Sequence, residues 1–406
     1  MPGGPHEISE IEVIPIRAPE CREVAEADEF LVTPLHIFPD YRRMLGEGFV
    51  GLRGGPVGAV LVRVTTRSGA YGVGSAGVGN GGAVYILQHV LRPLVLGANP
   101  FDVEILWQKM FRATLNFGRK GVTIEAISAL DIALWDLMGK ITGQPVYNLL
   151  GGRTREKIRV YASRLYARHD LQRLADEALA FKRQGFTAMK QRFGYGPLDG
   201  PEGIRKNVEL VMTVRDAVGP DVELMADAYM GWDVSYAIRM IRMLEDAGAN
   251  LHWVEEPLIP DDIDGYAEIR RAVQTPISGG EHEFTRYGFR ELIEKRAVDI
   301  LQPDVNRCGG ITEARKIWAM AASHDIRVIP HAGQAHNYHL VMAHLNSPMA
   351  EYFPSTAEGA PLDDDTLFWE LFVGDCLAEC GQVALSDAPG LGLELNEDRV
   401  REWRLA

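Results

Sequence analysis

The chain has 406 residues, 46% of them hydrophobic and 24% charged, a composition typical of globular proteins and large enough for two domains. The formal net charge of −14 and the spread of acidic residues disfavour a nucleic-acid partner. The longest apolar stretches are too short for a membrane span and the first residues lack the pattern of a secretory signal, so we expect a cytoplasmic protein.

The first third of the chain predicts an α+β unit. Residues 7–17 alternate apolar and polar side chains like a half-buried strand, and residues 57–77 predict a hairpin that turns at residues 67–69. Helical patterns follow over residues 84–97, 102–115 and 123–143, the last of them ending at a glycine shortly before a proline. Strands followed by helices indicate an α+β unit of about 140 residues.

From residue 157 onward, short apolar runs alternate regularly with helical patterns. The predicted strands are residues 157–163, 186–192, 222–228, 252–257, 276–280, 298–304, 327–332 and 349–353. Eight strands with helices between them favour a closed (β/α)8 barrel over an open, doubly wound sheet. We therefore predict an N-terminal α+β capping domain (1–145), a catalytic barrel (146–366) and a C-terminal tail (367–406) that packs back on the first domain.

Charged residues end these apolar runs at nearly constant intervals. Asp227, Glu255, Glu281, Asp304, His331 and Glu351 are separated by 28, 26, 23, 27 and 20 residues, about one strand and one helix each. In a parallel barrel, the carboxyl ends of all strands meet on one face, where such enzymes have their active sites. We therefore expect these six side chains to share one pocket.

Three of these carboxylates, Asp227, Glu255 and Glu281, end consecutive strands. Buried together, they would repel one another unless a cation lay between them. Oxygen ligands alone suit a hard ion, Mg²⁺ or, as a substitute, Mn²⁺. Within the adjacent pair Glu255 and Glu256 we choose Glu255, because the alternation of a strand lets only one of two neighbours face inward, although the sequence leaves this choice open.

Asp304 and His331 end the next two strands. A carboxylate on one imidazole nitrogen fixes the tautomer and leaves the other nitrogen to move protons. Lys190 and Arg192 lie on one face of the second strand, where they would hold a substrate carboxylate. Lys190 would act as a base only if its neighbours lowered its pKa. The alternative is that these charged side chains form salt bridges with Asp or Glu. Glu351 would serve as a neutral acid that donates to a developing oxyanion.

The motifs DIALWDLMGK, GQPVYNLLGG, ADA, VEEP, GGE, QPD and PHA together resemble those of the enolase superfamily, mandelate racemase subgroup. The resemblance implies a capping domain built from both termini over a modified (β/α)8 barrel, and abstraction of a proton next to a carboxylate. It also implies that Asp227, Glu255 and Glu281 bind Mg²⁺, that His331 with Asp304 is the base, and that Glu351 assists. Symmetric homo-oligomers, often octamers, are implied as well.

Two features narrow the expected activity. Where the racemases have a Lys-x-Lys pair, this chain has Lys190 and Arg192, so a second base is missing and elimination is favoured over racemisation. The segments GEHEFTRYGFR, QPDVNRCGG and PHAGQAHNYH resemble acid-sugar dehydratases that act on L-rhamnonate and L-lyxonate, in which a histidine, here His282, follows the third metal ligand. We expect a hydro-lyase acting on a small acid sugar. A racemase or epimerase, a Schiff-base aldolase using Lys190 and a non-catalytic binding protein remain alternatives.

The segment TPLHIFPDYR (residues 33–42) is predicted to form a lid over the pocket, in which His36 and Tyr41 would contact distal hydroxyls of the sugar. His336 and His339 lie on one face of a predicted helix, and we interpret both as structural.

Overall fold

A computed structural model of the protein describes residues 4–17, 29–39, 41, 57–78, 81–354, 370–374 and 376–405. Within these ranges, no helix is both long enough and apolar enough to cross a membrane. The described chain forms an antiparallel sheet with helices, a parallel barrel, and a C-terminal segment that contacts both.

The strands are numbered in chain order and the helices are identified by their ranges. The strands are β1 (Ile8–Arg17), β2 (Glu29–Phe30), β3 (Val57–Thr66), β4 (Tyr71–Val78), β5 (Ile158–Ser163), β6 (Ala167–Arg168), β7 (Ala188–Arg192), β8 (Glu223–Asp227), β9 (Leu251–Glu255), β10 (Ile277–Gly279), β11 (Ile300–Leu301), β12 (Arg327–Val328), β13 (Ala350–Tyr352), β14 (Phe372–Val373), β15 (Ala378–Glu379), β16 (Gln382–Val383) and β17 (Glu394–Leu395). The α-helices are Gly82–Tyr85, Arg92–Val95, Val103–Ala113, Val122–Thr142, Val146–Leu149, Leu171–Arg183, Gly200–Val218, Val234–Asp246, Ile263–Ala272, Thr285–Glu294, Gly310–Ala322, Ala335–Ala343 and Glu397–Trp403. Pro34–Ile37 and Pro197–Asp199 are short 3-10 helices, and Ile86–Leu91 is a π-helix.

The N-terminal strands form the predicted antiparallel hairpin. β3 pairs with β4 and with β1, and Gly69 in the turn has a φ of 85°, a conformation that favours glycine. β4 lies directly on the helix Val122–Thr142, because a Cβ added to Gly74 would be 2.2 Å from the carbonyl oxygen of Ala129. Glycine in β4 therefore permits the close approach of sheet and helix.

Eight parallel strands form the modified (β/α)8 barrel, in the order β13, β5, β7, β8, β9, β10, β11 and β12. The backbone N–H of Ala332, after β12, donates to Oε2 of Glu351 in β13 at 2.7 Å and so connects the two ends of this order. All eight predicted barrel strands are present, and a helix lies in each of the seven intervals between them. The predicted barrel architecture is confirmed.

A layer of apolar side chains fills the barrel interior below the carboxyl ends of the strands. Its buried members are Tyr161, Ala188, Met225, Trp253, Ile300, Ile329 and Met349. Since side chains two positions apart on a strand face the same side, residues two positions further along also face inward, one step closer to the barrel mouth.

The C-terminal segment contacts the N-terminal sheet. Leu371, Leu395 and Val400 share a small buried cluster with residues of β1, β3 and β4, and Leu405 N–H donates to the carbonyl of Pro15 at 2.9 Å. β16 also pairs with β5 of the barrel. The division of the chain at residues 145 and 366 stays a prediction, and the second of these positions lies outside the described residues.

One predicted helix is irregular. Residues 84–97 were expected to form a single helix, but an α-turn, the π-helix Ile86–Leu91 and a second α-turn follow one another there. Pro93 has no N–H to donate to the preceding turn, which accounts for the irregular hydrogen bonding near it.

Candidate active site

Four charged side chains lie directly above the apolar layer of the barrel. Each follows a member of that layer by two positions; they are Lys190, Asp227, Glu255 and Glu351. Strand periodicity therefore carries these groups into the mouth of the barrel, as the sequence predicted.

The three predicted metal ligands are all buried at this mouth, although in the described part of the chain their donor atoms do not all lie within 4.8 Å of one another. Asp227 and Glu255 are register partners on β8 and β9, and Glu281 follows the end of β10 by two residues. They are 3%, 0% and 4% exposed. Burial raises the pKa of Glu255, and repulsion from Asp227, Glu351 and Glu281 adds to this increase.

Charged side chains of both signs lie together in the pocket. Its carboxylates are Asp227, Glu255, Glu256, Glu281, Asp304 and Glu351, and its permanent cations are Lys190, Arg192 and Arg307. Burial raises the pKa of Glu255 to about 7 and also raises that of Asp227, although nearby cations oppose both shifts. Several buried carboxylate oxygens at neighbouring strand ends are the donors that a hard divalent cation prefers.

Glu256 forms a second possible donor set. It is 1% exposed, and its Oε2 lies 2.7 Å from Nδ1 of His282. Glu256, Glu281 and His282 each place a donor atom within 4.8 Å of the others. A φ of 38° at Glu256 ends the regular alternation of β9, so the prediction that only one glutamate of the pair faces the site is wrong.

His331 and Asp304 form the expected pair. Nδ1 of His331 lies 2.9 Å from Oδ2 of Asp304, so Nδ1 carries the proton and Nε2 can accept one. Nε2 is 3.5 Å from Oε2 of Glu281. Burial lowers the pKa of His331, but Glu281 and the hydrogen bond to Asp304 raise it more strongly, to about 9. A cation bound at Glu281 would weaken part of this increase.

Lys190 is a buried ammonium group. It is 0% exposed, forms an ion pair with Glu255 and lies 2.9 Å from Oε1 of Glu351. Burial lowers the pKa of Lys190, but these carboxylates raise it above its usual value. Its neighbours therefore do not provide the lowered pKa that a lysine base, or a Schiff-base lysine, requires.

Glu351 is a carboxylate in this environment. Burial raises its pKa, but Lys190, His331 and Arg192 lower it more strongly, to about 2. The neutral carboxylic acid suggested by the sequence is therefore wrong here. The sequence did not show that a lysine from β7 contacts this carboxylate.

Arg192 lies beside the acidic groups. Its Nε is 3.4 Å from Oδ2 of Asp227, and its Nη2 donates to Oγ of Ser163 at 3.2 Å. Nη1 is buried and has no hydrogen-bond partner among the described residues. This donor suits an anionic group of a substrate.

The segment predicted to form a lid begins next to the carboxyl end of β7. Asp40 and Arg42 of this segment lie outside the described residues. Val32 N–H donates to the carbonyl of Phe193, next to the end of β7, at 2.8 Å. His36 lies in the 3-10 helix Pro34–Ile37, and Tyr41 is 38% exposed. Contact of these two side chains with a substrate stays a prediction.

Several residues of the site were missed by the sequence analysis. Gln302 and Trp253 donate to Oε2 of Glu255 at 2.8 and 2.9 Å, and Arg307 lies 3.3 Å from Oε1 of Glu281. Gln302 is two residues before Asp304 and Arg307 three after it, so their proximity to the QPD motif was the available signal. Nothing local distinguished Trp253 from an ordinary core residue.

A capped (β/α)8 barrel with acidic groups and a histidine at its strand ends is the architecture of an enzyme. Residues 56–151 match the mandelate racemase / muconate lactonizing enzyme N-terminal domain, and residues 173–399 match the enolase C-terminal domain-like family. The chain belongs to the enolase superfamily, mandelate racemase subgroup. The resemblance found in the sequence motifs is confirmed.

Relatives with assigned activities indicate the type of enzyme. An L-rhamnonate dehydratase of Saccharopolyspora erythraea is 40% identical over 376 residues, which cover 91% of this chain and 90% of the relative. The crystal structure of L-rhamnonate dehydratase from Gibberella zeae is 35% identical, with a TM-score of 0.86 and coverage of 98% and 95%. A complex of rhamnonate dehydratase from the same organism with Mg is 34% identical, with a TM-score of 0.86 and coverage of 98% and 96%. The chain is a carbon–oxygen lyase of the dehydratase type.

Proposed function

We propose that the protein dehydrates a sugar acid, an aldonate such as L-rhamnonate or L-lyxonate, to a 2-keto-3-deoxy acid. The observation that carries this proposal is the presence of one side chain, His331, that can accept the C2 proton. The two cations on the opposite side, Lys190 and Arg192, keep their protons. Glu255 and Glu351 hold the proton on Lys190, and Arg192 is always charged. One base supports elimination, whereas racemisation needs proton transfer on both faces of C2. The names of the relatives support the substrate class.

We propose Asp227, Glu255 and Glu281 as ligands of Mg²⁺, with Mn²⁺ as a substitute that shares its preference for oxygen. When bound, such a cation stabilises the negative charge that develops on the substrate carboxylate. The burial of all three carboxylates at the ends of consecutive strands supports this assignment, and the magnesium complex of a relative agrees with it.

The residues of this chain would then have distinct roles in the reaction. Nε2 of His331 removes the proton from C2, while Asp304 holds the proton on Nδ1. Lys190 and Arg192 place positive charge in advance where the ene-diolate forms, and Glu351 fixes Lys190. The C3–O bond breaks, the 3-hydroxyl leaves as water after gaining a proton, and the enol becomes a ketone. One water is lost and no electron acceptor is needed.

Two histidines compete for the role of the acid that protonates the leaving hydroxyl. His331 would return the proton it removed if the elimination is syn. His282 is the second candidate, because Glu256 and Glu281 raise its pKa more than burial lowers it. An H282N variant that exchanges the C2 proton without releasing product would identify His282, and unchanged product formation would identify His331.

A panel of pentonates and hexonates, incubated in D2O, tests the proposed function. We expect a 2-keto product, detected with semicarbazide, from at least one of them, and loss of activity in EDTA. Deuterium uptake at C2 without keto acid from any substrate would contradict the proposal and indicate a racemase or epimerase.

Two further measurements distinguish a dehydratase from an aldolase and from a binding protein. Borohydride trapping of Lys190 with a carbonyl substrate, together with activity that resists EDTA, would indicate an aldolase. Binding without any turnover or exchange would indicate a binding protein. The cytoplasmic location and a homo-oligomer, an octamer by family resemblance, stay predictions.

A further inference from the structure

The loop between Asp304 and the helix Gly310–Ala322 is attached to the N-terminal part of the chain. Ser75 of β4 donates from Oγ to Oδ1 of Asn306 at 2.9 Å. Gly309 N–H donates to Oγ of Ser128, in the helix Val122–Thr142, at 3.0 Å. Both contacts are buried and join residues far apart in the sequence.

Asn306 also connects the two members of the proposed catalytic pair. Its backbone N–H donates to Oδ1 of Asp304 at 2.7 Å. Its side-chain Nδ2 donates to Oε1 of Gln334 and lies 3.2 Å from Nε2 of His336. Gln334 and His336 lie in the segment that follows His331 by three and five residues. One side chain therefore bridges β4, the loop that carries Asp304 and the loop that carries His331.

The donors and acceptors of this bridge match. Oδ1 of Asn306 accepts a hydrogen bond from the hydroxyl of Ser75. Nδ2 donates to two atoms that can accept, Oε1 of Gln334 and Nε2 of His336. Burial lowers the pKa of His336 to about 4, so its ring is neutral and Nε2 can accept. Asn306 is 1% exposed, and a buried amide without partners would cost roughly 1–3 kcal/mol. The network thus favours one arrangement of the two loops.

We propose that Asn306 is a positioning residue: it fixes the loop of Asp304 against the loop of His331 and anchors both to β4. The inference rests on the proposed role of His331 as the base. Proton transfer depends steeply on the position of the base, so displacement of the pair affects the chemical step more than substrate binding. The residue itself does not reach the substrate in this assignment.

N306A and S128A provide a matched comparison. Both remove one buried side chain that holds the same loop, but Ser128 acts at Gly309, five residues after Asp304. We expect N306A to lower kcat about 10- to 100-fold with KM changed less than about threefold, and S128A to keep kcat within about threefold. Similar losses of kcat in both variants, or unchanged kcat in N306A, would overturn the proposal.

A second readout does not need a substrate. In protein labelled with ¹⁵N-histidine, the Nδ1–H resonance of His331, assigned by its absence in H331N, reports the hydrogen bond to Asp304. We expect it to be lost or shifted in N306A and kept in S128A, and an unchanged resonance in N306A would overturn the proposal.

If N306A does not fold, N306D takes its place in both measurements. Its carboxylate still accepts from Ser75 but cannot donate to Gln334 and His336. If the wild-type protein turns over no sugar acid, the proposed function fails while this resonance still tests Asn306.

Discussion

His331 is the side chain on which the proposed chemistry depends most. Asparagine at this position keeps a polar group near Asp304 but cannot accept the C2 proton. We expect H331N to lower kcat by about 10³-fold or more, with Mg²⁺ affinity unchanged, because His331 is not among the proposed ligands. Turnover and isothermal titration of the purified variant check both statements, and retained turnover would refute the assignment of the base.

Asp304 sets the pH at which His331 becomes competent. Only neutral His331 accepts a proton, so kcat/KM rises with pH through its pKa, which burial lowers and Glu281 and Asp304 raise. In D304N the contribution of Asp304 is lost, so the acid limb of the profile moves to lower pH while kcat falls. A profile from about pH 5 to 10 measures both effects. An acid limb at the wild-type pH would show that Asp304 does not act on this pKa.

The sequence predicted which residues reach the barrel mouth better than it predicted their charge states. The two-residue period of a strand carries Asp227 and Glu255 inward, and this follows from local pattern alone. The charged state of Glu351 and the proton held by Lys190 depend on a contact between β7 and β13, 161 positions apart in the chain. No local pattern encodes that contact, and the expected neutral Glu351 was wrong for this reason.

At the scale of elements, β4 packs closely against the helix Val122–Thr142. In G74A, the added Cβ would lie 2.2 Å from the carbonyl oxygen of Ala129, so sheet and helix must separate. We expect G74A to lower the free energy of unfolding by about 1–3 kcal/mol in urea unfolding. G4A is the control, because the added Cβ there meets nothing within 4 Å. Equal stability of the two variants would contradict the close contact.

The long elements were predictable because hydrophobic periodicity decides them. The eight barrel strands lie close to their predicted positions, and helices alternate with them as expected. The short strands β14 to β17 were not predicted, since each has two residues and exists only through its partner. The π-helix Ile86–Leu91 was also missed, because its residues carry an ordinary helical pattern.

For the whole molecule, His339 links stability to pH. Its Nδ1 accepts the N–H of Tyr147 at 3.0 Å, and its Nε2–H donates to the carbonyl of Leu391 at 3.2 Å, so the neutral ring joins the barrel to the C-terminal segment. Burial lowers the pKa of His339 from 6.5 to about 4. Between these values the unfolded chain binds a proton that the folded chain does not. Stability therefore falls as the pH drops through this window, by about 1.4 kcal/mol per pH unit.

H339Q removes this contribution but keeps an amide that can both donate and accept. We expect its unfolding free energy to fall less than that of the wild-type protein between pH 7 and pH 5. Urea unfolding at both pH values measures the difference. An equal decrease in unfolding free energy in the two proteins would show that His339 is not the group responsible.

The central claim for the molecule is that carboxylates from consecutive barrel strands hold one divalent cation beside His331. Isothermal titration with Mg²⁺ of the wild-type protein, E255Q and E256Q tests it most directly. Glu255 and Glu256 are adjacent at the end of β9, and each substitution removes a charge without changing the size of the side chain. The account predicts a single site in the wild-type protein, a loss of affinity of at least about tenfold in E255Q, and affinity within about threefold of wild type in E256Q. Weakened binding in E256Q with wild-type binding in E255Q would contradict it and would place the ion between Glu256, Glu281 and His282.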